Sequence, residues 1–383
     1  MAAGGCATRA SWRTLSVCRV GTHADARFPF STETGLGARA GANMKRVLHF
    51  CVARTRPGGD GYNRGPVSTE VRLEDIRAAA DRIRGIARRT PVMTSRGFDE
   101  EAGIRAYFKC ENFQRGGAFK IRGASNFMLS IPRPDLPRGV VAYSSGNHAQ
   151  AVAVAARELG VHATLVMPAD APRSKMEATR AQKATIVVYD RLRESREEIG
   201  RRLSAESGAT LVPPFDHPWI IAGQGTTALE FIEEIPRLDA LIAPVGGGGL
   251  LSGCAIAAKG ISPAIRIFGA EPEQANDTYL SFQAGRPVTI PAQDTIADGL
   301  RAPRPGDVTF PILHRLVERI VLVTEAEIKA AMKYLLARMK ILVEPSGAVA
   351  AAAVLHRKLP PGLETIGVVL SGGNADLELL AQL

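Results

Sequence analysis

One lysine of this sequence has neighbours that suit it to act as a nucleophile. Lys120 lies between Phe119 and Ile121 and follows a glycine turn at 116–117. Most lysines are hydrated and have structural roles. Loss of water in an apolar setting, however, lowers the pKa of an amine and makes it a usable nucleophile. We therefore interpret Lys120 as the candidate catalytic amine.

A second segment could hold an anion. Its residues are Gly246, Gly247, Gly248, Gly249 and Leu250, between an apolar strand-like run and an apolar helix-like run. Bare N–H groups at the beginning of a helix can close on a phosphate, and a merely flexible turn would be a costly use of four glycines. The Lys-Ser/Thr pair of a nucleotide-binding loop is missing, as is an acidic residue at the spacing of a dinucleotide site. A phosphate-bearing aldehyde would use both this loop and Lys120.

Polar residues follow two further strand-like runs. One segment consists of Ser144, Ser145, Gly146, Asn147 and His148, and its N–H groups could hold a substrate carboxylate because a helix-like run begins there. For His148, a packing histidine with a satisfied ring is the preferred interpretation. In the other segment, Glu271 and Asp277 flank a turn whose carboxylate and carbonyl oxygens suit Mg²⁺ or Ca²⁺. Composition alone favours a solvated acidic turn there.

The elements that would position these residues alternate between strand and helix. From Leu73, apolar residues recur every three or four positions, which predicts a helix. Short β-rich runs then alternate with helical stretches, at 140–143, 163–167, 186–189, 210–212, 240–245, 265–270 and 366–370. Strands separated by helices of this length form parallel sheets, and uniformly apolar strands are typical of sheets covered on both faces. We predict an α/β fold.

Composition and charge exclude several classes of protein. The chain has 383 residues, of which 45% are hydrophobic and 22% charged, as in globular proteins. No apolar run approaches the length of a membrane span. Residues 1–67 carry +7 of the net charge of +10, so a nucleic-acid function would rest on that extension alone. Beyond it the only cysteines are Cys110 and Cys254, which indicates a reducing compartment.

The basic extension, residues 1–67, has a separate interpretation. Its first 24 residues combine arginine and serine without an acid, as transit peptides do, but arginine dominates the basic residues of the whole chain. We expect the extension to be disordered or mis-assigned, and hypothesise that the natural protein starts near Val67 or Met44. We expect a cytoplasmic protein, with organellar targeting by residues 1–24 as the weaker alternative.

Four motifs, in this order, resemble those of fold-type II pyridoxal-phosphate enzymes, specifically the threonine dehydratase and serine racemase group. They are Gln-Arg-Gly-Gly-Ala-Phe-Lys-Ile-Arg-Gly, Ser-Ser-Gly-Asn-His, Gly-Gly-Gly-Gly and Ser-Gly-Gly-Asn, and together they are highly specific. The resemblance covers about Val67 to Leu383. It implies a two-lobed, tryptophan synthase β-like α/β fold of parallel sheets flanked by helices. A large cofactor-binding domain would comprise 68–138 and 217–383, and a small one 139–216, with the cofactor in the cleft between them.

The resemblance also implies how pyridoxal 5′-phosphate would be bound. Lys120 would be the Schiff-base lysine and the base for the α-proton. The segment from Gly246 to Leu250 would hold the phosphate. Asn147 would hydrogen-bond the ring hydroxyl and Ser371 would meet the pyridine nitrogen.

Substrate and metal sites are implied in the same way. The segment 144–148 would bind substrate. Ser145 matches the serine that serves as the opposite-face acid/base in serine racemases, whereas biosynthetic threonine dehydratases generally have alanine there. Glu271, the carbonyl of Ala275 and Asp277 match a divalent-cation site, for Mg²⁺ or Ca²⁺.

Three other positions match the family less directly. Arg196 matches an arginine that can approach a distal carboxylate in racemase relatives, although a helix-surface ion pair fits equally well. Asp298 and Gly299 lie in a segment that lines the site in the family. Lys183 stands where relatives usually have a turn glycine, which puts the local geometry in question.

The implied activity is dehydration and deamination of L-threonine and L-serine to 2-oxobutanoate and pyruvate plus ammonia. A hydroxyl at Ser371, in place of a carboxylate, makes the ring a weaker electron sink and favours β-elimination. Serine racemase and 3-hydroxyaspartate dehydratase are the nearest alternatives, followed by a β-replacing synthase, a non-catalytic cofactor carrier and a nucleic-acid binder. We expect a homodimer that binds a small hydroxy amino acid and neither nucleic acid nor membrane.

Overall fold

The computed structural model describes residues 70–383, apart from positions 145, 172, 292 and 293 and the side chains of 173–175. The predictions for residues 1–67 and for Ser145 therefore lie outside the described residues. Among the residues described, no helix is both long enough and apolar enough to cross a lipid bilayer.

Helices and strands alternate along most of the described chain. The α-helices are α1 (Leu73–Arg82), α2 (Arg96–Ala102), α3 (Lys120–Ser130), α4 (Asn147–Leu159), α5 (Arg173–Arg180), α6 (Arg196–Ser207), α7 (Pro218–Glu234), α8 (Gly249–Ile261), α9 (Asp277–Ala284), α10 (Thr309–Leu316), α11 (Glu325–Tyr334), α12 (Pro345–Leu355) and α13 (Leu377–Leu380). Local sequence sets several of their ends. Thr324 and Glu327 form a capping box at the start of α11, and Gly160 ends α4 in the left-handed conformation.

The strands form two sheets. They are β1 (Val92–Thr94), β2 (Arg105–Cys110), β3 (Val140–Tyr143), β4 (Ala163–Pro168), β5 (Thr185–Tyr189), β6 (Thr210–Leu211), β7 (Ala240–Pro244), β8 (Arg266–Pro272), β9 (Arg319–Val323) and β10 (Thr365–Leu370). The first sheet has the order β1-β2-β10-β7-β8-β9 and the second β5-β4-β3-β6. Within the described chain, every strand pair is parallel except β1 with β2. The predicted α/β class with parallel sheets is confirmed.

Each strand predicted from the sequence is present, with its ends shifted by at most two residues. The largest shift concerns β8, which was expected to stop at 270 but continues to Pro272. The reason is pairing with β9, in which Glu271 lies opposite Leu322. Strands β1, β2 and β9 were not predicted.

The core of the first sheet contains an entirely buried helix. Every residue of α12 is buried, and five of its eleven residues are alanines, so this helix lies close to its neighbours. On the other side, α7 and α8 approach closely at Gly253, where a Cβ would lie 2.3 Å from the carbonyl oxygen of Ile221. The first sheet therefore buries apolar surface on both of its faces, as expected for parallel strands.

The second sheet has its own apolar cluster. Its strands all lie between residues 140 and 211, and they pack with α4 and with the apolar face of α3, which includes Ile121 and Phe127. Helix α3, whose first residue is Lys120, thus packs one of its faces against the core of the second sheet. The domain limits 139–216 and 217–383 stay a prediction.

Candidate active site

Lys120 borders two adjoining cavities. The glycine-loop cavity, of about 40 Å³, is lined by Lys120, residues 246–250 and Ser371, and the α4 cavity, of about 140 Å³, by Lys120 and residues around the start of α4. The Lys120 Nζ donates a hydrogen bond of 2.7 Å to the carbonyl of Pro214. Burial lowers the pKa of Lys120 to about 8 because the ammonium loses hydration. The apolar setting inferred from the sequence therefore has the expected effect on this amine.

A buried ion cluster fixes the helix that carries Lys120. Arg122, on the first turn of α3, donates hydrogen bonds of 2.8 Å to Glu111 and to Glu230. Lys109, on β2, donates to the same Glu230 at 2.8 Å. Lys109, Glu111 and Arg122 are fully buried, and the cluster's two cations balance its two carboxylates, so no buried charge is left uncompensated. Lys109 and Glu111 lie at the end of β2 and directly after it, Arg122 lies on α3 and Glu230 on α7, so the cluster holds α3 against β2 and α7.

The glycine loop leads from β7 into α8. A Cβ on Gly247 would lie 2.4 Å from the Phe215 ring, and one on Gly248 would lie 2.9 Å from Thr309. Gly248 also has a φ of +92°, which favours glycine. The glycines of the loop are therefore closely packed against Phe215, which borders the cavity, and against Thr309, which does not, and the first amides of α8 lack helical acceptors. These features fit a phosphate group.

Ser371 lies at the end of β10 and borders the glycine-loop cavity. It is buried, and its carbonyl accepts a hydrogen bond of 3.1 Å from the Phe119 N–H, one residue before Lys120. Three residues further on, the Asn374 amide donates to the carbonyl of Gly116 and to the Asn147 side chain, each at 2.8 Å. The four motifs of the sequence are thus brought to one place.

The start of α4 forms one wall of the α4 cavity, with Ser144, Gly146, Asn147 and His148 on its lining. His148 Nε2 lies 3.0 Å from the carbonyl of Val212 and must be the donor, since a carbonyl only accepts. Burial, followed by the charge of Lys120, lowers the pKa of His148 to about 3, so its ring is neutral. This agrees with a satisfied packing histidine. The role predicted for Ser145 stays a prediction.

The Asn147 side chain has protein partners at the edge of the glycine-loop cavity. Its Nδ2 donates a hydrogen bond of 2.6 Å to Glu344 Oε1. Glu344 is buried and borders the glycine-loop cavity. Contact of Asn147 with a ring hydroxyl stays a prediction.

Two arginines border the α4 cavity together with Lys120. Arg196 begins α6; its Nε donates to Glu197 at 2.8 Å, and its guanidinium carbon lies 5.8 Å from the centre of the Tyr143 ring. Arg301 is held by the carbonyl of Thr295, to which its Nε donates at 3.0 Å. Asp298 and Gly299 lie on the same lining, as the resemblance implied. Arg196 therefore both forms an ion pair with Glu197 and borders the α4 cavity.

Glu271 and Asp277 form a buried pair of carboxylates. The two oxygens of Glu271 accept hydrogen bonds from the amides of Thr278 and Tyr279, at 3.2 and 2.8 Å, whereas neither oxygen of Asp277 accepts one. Burial, together with the nearby Asp277, raises the pKa of Glu271 well above its usual range, and burial raises the pKa of Asp277 to about 7. An unpartnered buried carboxylate beside a second one fits a cation. No group of three or more His, Cys, Asp and Glu side chains suited to a metal occurs among the described residues, so the site with Ala275 stays a proposal.

The local geometry at Lys183, which the sequence left in question, is a left-handed turn. Its φ is +64°, in the left-handed region, and its amide closes a turn on the carbonyl of Arg180 at 2.8 Å. A residue with a Cβ is strained there.

Several lining residues were not identified from the sequence. They are Pro214, Phe215, Arg301, Glu344 and Ser346. Glu344 had a local signal, because it precedes a proline at the start of an apolar helix. The others reach the cavities through tertiary contacts alone.

The lining as a whole fits pyridoxal 5′-phosphate. Bare amides at a helix start suit the phosphate, a buried amine of lowered pKa suits the aldehyde, and the Ser371 hydroxyl lies on the same cavity. Glu344 and the Asn147 amide supply further polar groups.

Comparison with known proteins agrees with this chemistry. Residues 83–372 match the family described as "Pyridoxal-phosphate dependent enzyme". The chain is 47% identical over 309 residues to L-threo-3-hydroxyaspartate ammonia-lyase from a Pseudomonas species, across 81% of this chain and 97% of that protein. Its fold is similar to that of maize serine racemase, with 44% identity, a TM-score of 0.79 and coverage of 82% of this chain and 96% of that one. It is also similar to serine racemase from Dictyostelium discoideum, with 44% identity, a TM-score of 0.77 and coverage of 80% and 99%. The chain therefore belongs to the fold-type II family of pyridoxal-phosphate dependent enzymes.

Proposed function

We propose that this chain is an ammonia-lyase that acts on L-threonine and L-serine. β-Elimination of the hydroxyl, followed by hydrolysis of the released enamine, would give 2-oxobutanoate or pyruvate and ammonia. One observation carries the proposal: the Lys120 amine, with a pKa lowered to about 8, borders the same cavity as the glycine loop and Ser371. A proton acceptor thus lies beside the phosphate site.

The chain's own residues have separate tasks in this reaction. Lys120 accepts the α-proton, and its lowered pKa keeps more of the amine neutral at physiological pH. When bound, pyridoxal phosphate supplies a sink for the electrons of the broken C–H bond. Ser371 offers a hydroxyl rather than a carboxylate, so it does not keep a ring nitrogen protonated, and loss of the β-hydroxyl is favoured over a long-lived carbanion. The amides at the start of α4 would hold the substrate carboxylate.

A second candidate substrate, 3-hydroxyaspartate, is favoured by Arg196 and Arg301. Both guanidinium groups border the α4 cavity with Lys120. A guanidinium binds a carboxylate through two parallel hydrogen bonds, whereas the methyl group of threonine offers it no partner. The name of the Pseudomonas relative is consistent with this candidate.

Two features implied by the resemblance complete the proposal. A divalent cation held by Glu271, the Ala275 carbonyl and Asp277 would compensate the buried carboxylates. The chain would work as a homodimer, which light scattering on the purified protein tests.

The test measures 2-oxo acid, ammonia and D-enantiomer after incubation with L-threonine, L-serine or L-threo-3-hydroxyaspartate. Arg196→Met and Arg301→Met are compared with Arg202→Met, because Arg202 is exposed on α6 and lies away from the cavity. If a dicarboxylate is a substrate, the first two variants lower kcat/KM for hydroxyaspartate by about tenfold, the loss of one charge-assisted contact, and spare threonine.

Two outcomes would contradict the proposal. Absence of 2-oxo acid with all three substrates would exclude the ammonia-lyase. Equal losses with threonine and hydroxyaspartate would show that the arginines support the fold of the cavity and do not select a second carboxylate.

A further inference from the structure

We propose that Asp216 is a positioning residue that sets the affinity for the cofactor phosphate by fixing the direction of one peptide group in the glycine loop. The proposal depends on the cofactor alone, so it holds whichever amino acid the enzyme accepts.

Asp216 caps a helix that is distant in sequence. Its Oδ2 accepts a hydrogen bond from the Asp307 amide at 2.9 Å, and its Oδ1 accepts from the amides of Val308 and Thr309 at 2.9 and 3.1 Å. These three consecutive amides precede or begin α10, whose own N-cap residue, Val308, provides no side-chain acceptor. The carboxylate therefore replaces a local cap, and its negative charge lies at the positive end of the helix.

Thr309 transmits this restraint to the glycine loop. Its amide binds Asp216, while its hydroxyl donates to the carbonyl of Gly247 at 2.7 Å. The Gly306 N–H donates a longer hydrogen bond, of 3.3 Å, to the same carbonyl. Thr309 is fully buried, so these bonds are formed in a low-dielectric setting where they are strong. The Gly247 carbonyl is thus hydrogen-bonded to Thr309 and Gly306, and neither of these residues borders the glycine-loop cavity.

The rigidity of the peptide group converts this restraint into a site for an anion. In a trans peptide the carbonyl of one residue and the N–H of the next point in opposite directions. Because the Gly247 carbonyl is held on the outer side by Thr309, the N–H of Gly248 is directed to the opposite side, where the cavity lies. Gly248 has a φ of +92° and is the N-cap of α8, so this amide is one of those available to a phosphate.

The proposal predicts an effect that depends on the phosphate. The test uses the full chain freed of cofactor, titrated with pyridoxal 5′-phosphate and, separately, with pyridoxal, which lacks the phosphate. Asp216→Asn keeps the shape of the side chain but removes the charge and one acceptor. We expect it to raise the dissociation constant of pyridoxal 5′-phosphate by about tenfold and that of pyridoxal by less than about twofold.

Asp239 provides a matched control. Its Oδ2 also accepts two consecutive backbone amides, those of Glu364 and Thr365, at 2.9 and 2.8 Å, but at the start of β7 and β10, away from both cavities. Asp239→Asn should change neither dissociation constant. If Asp216→Asn weakened the binding of pyridoxal 5′-phosphate and of pyridoxal equally, the proposal would be overturned, because such a result would reveal a general loss of structure.

A second pair of variants tests the path through Thr309. Thr309→Val removes only the hydroxyl and should reproduce the selective loss, whereas Thr309→Ser keeps the hydroxyl and should restore wild-type binding. In the double variant Asp216→Asn/Thr309→Val, the losses should not add, since both act on the same peptide group. Unchanged binding of pyridoxal 5′-phosphate by Thr309→Val would refute the path even if Asp216→Asn failed to fold. These titrations need no turnover, so failure of the proposed reaction would leave their outcome readable.

Discussion

The lowered pKa of Lys120 leads to a measurable difference in reactivity between this amine and the surface lysines. Burial places the pKa of Lys120 at about 8. At about pH 7.5, such an amine is roughly one-quarter neutral, whereas a lysine with the usual pKa of about 10.4 is neutral in about one molecule in a thousand. The shift therefore raises the neutral fraction by about 200-fold. Only the neutral amine attacks an aldehyde, so the rate should follow this fraction.

The assay is reductive methylation of the cofactor-free protein with limiting formaldehyde, followed by quantification of each lysine-containing peptide. As pH rises, reaction of Lys120 should increase about tenfold per unit and level off above about pH 8. A fully hydrated lysine with the usual pKa of about 10.4 would not level off before about pH 10. The exposed Lys183 serves as the internal reference for the reactivity of the reagent. A profile for Lys120 that runs parallel to that of Lys183 would refute the argument, because it would mean that Lys120 is hydrated like a surface lysine.

Four further predictions follow from the site and its surroundings. Lys120→Ala should abolish turnover and the absorbance of lysine-bound cofactor, since no other lysine borders the two cavities among the described residues; substantial remaining activity would contradict its role. Chelation of divalent cations should lower the melting temperature, and Asp277→Asn should remove that dependence; equal melting with chelator and with Mg²⁺ would indicate a site without metal. Ser145→Ala should abolish D-serine formation and spare L-threonine dehydration, because racemisation alone needs an acid on the second face of Cα; equal loss of both would assign Ser145 to binding. Lys183→Gly should raise the free energy of unfolding by about 0.5–1 kcal/mol in denaturant titrations through relief of left-handed strain, and a decrease would show that the Lys183 side chain stabilises the turn.

The sequence predicted those parts of the fold that depend on local pattern. Apolar runs located the parallel strands, and a polar or glycine-rich segment after each of several strands located the site. Strand β2 was missed because Lys109 interrupts its apolar pattern, and this lysine is tolerated only through its bonds to Glu230 and to the carbonyl of Thr90. Strand β1 has three residues, too few for a periodicity.

The missed site residues act through contacts between distant segments. Asp216 binds amides more than 90 residues away, and Arg301 reaches the α4 cavity from a segment with no regular pattern. Nothing in the residues beside Asp216 indicates which amides it will meet. Such contacts depend on how the two sheets are arranged, which the local pattern does not encode.

The distance along the chain between the partners of Asn374 has a consequence for folding. This side chain binds the carbonyl of Gly116, 258 residues earlier, and the side chain of Asn147, 227 residues earlier. Contacts of such long range form late, because the entropy of closing a large loop must be offset before they contribute stability. A nascent or partly folded chain therefore lacks the assembled cofactor site. The cofactor is expected to bind when folding is nearly complete and not to nucleate it.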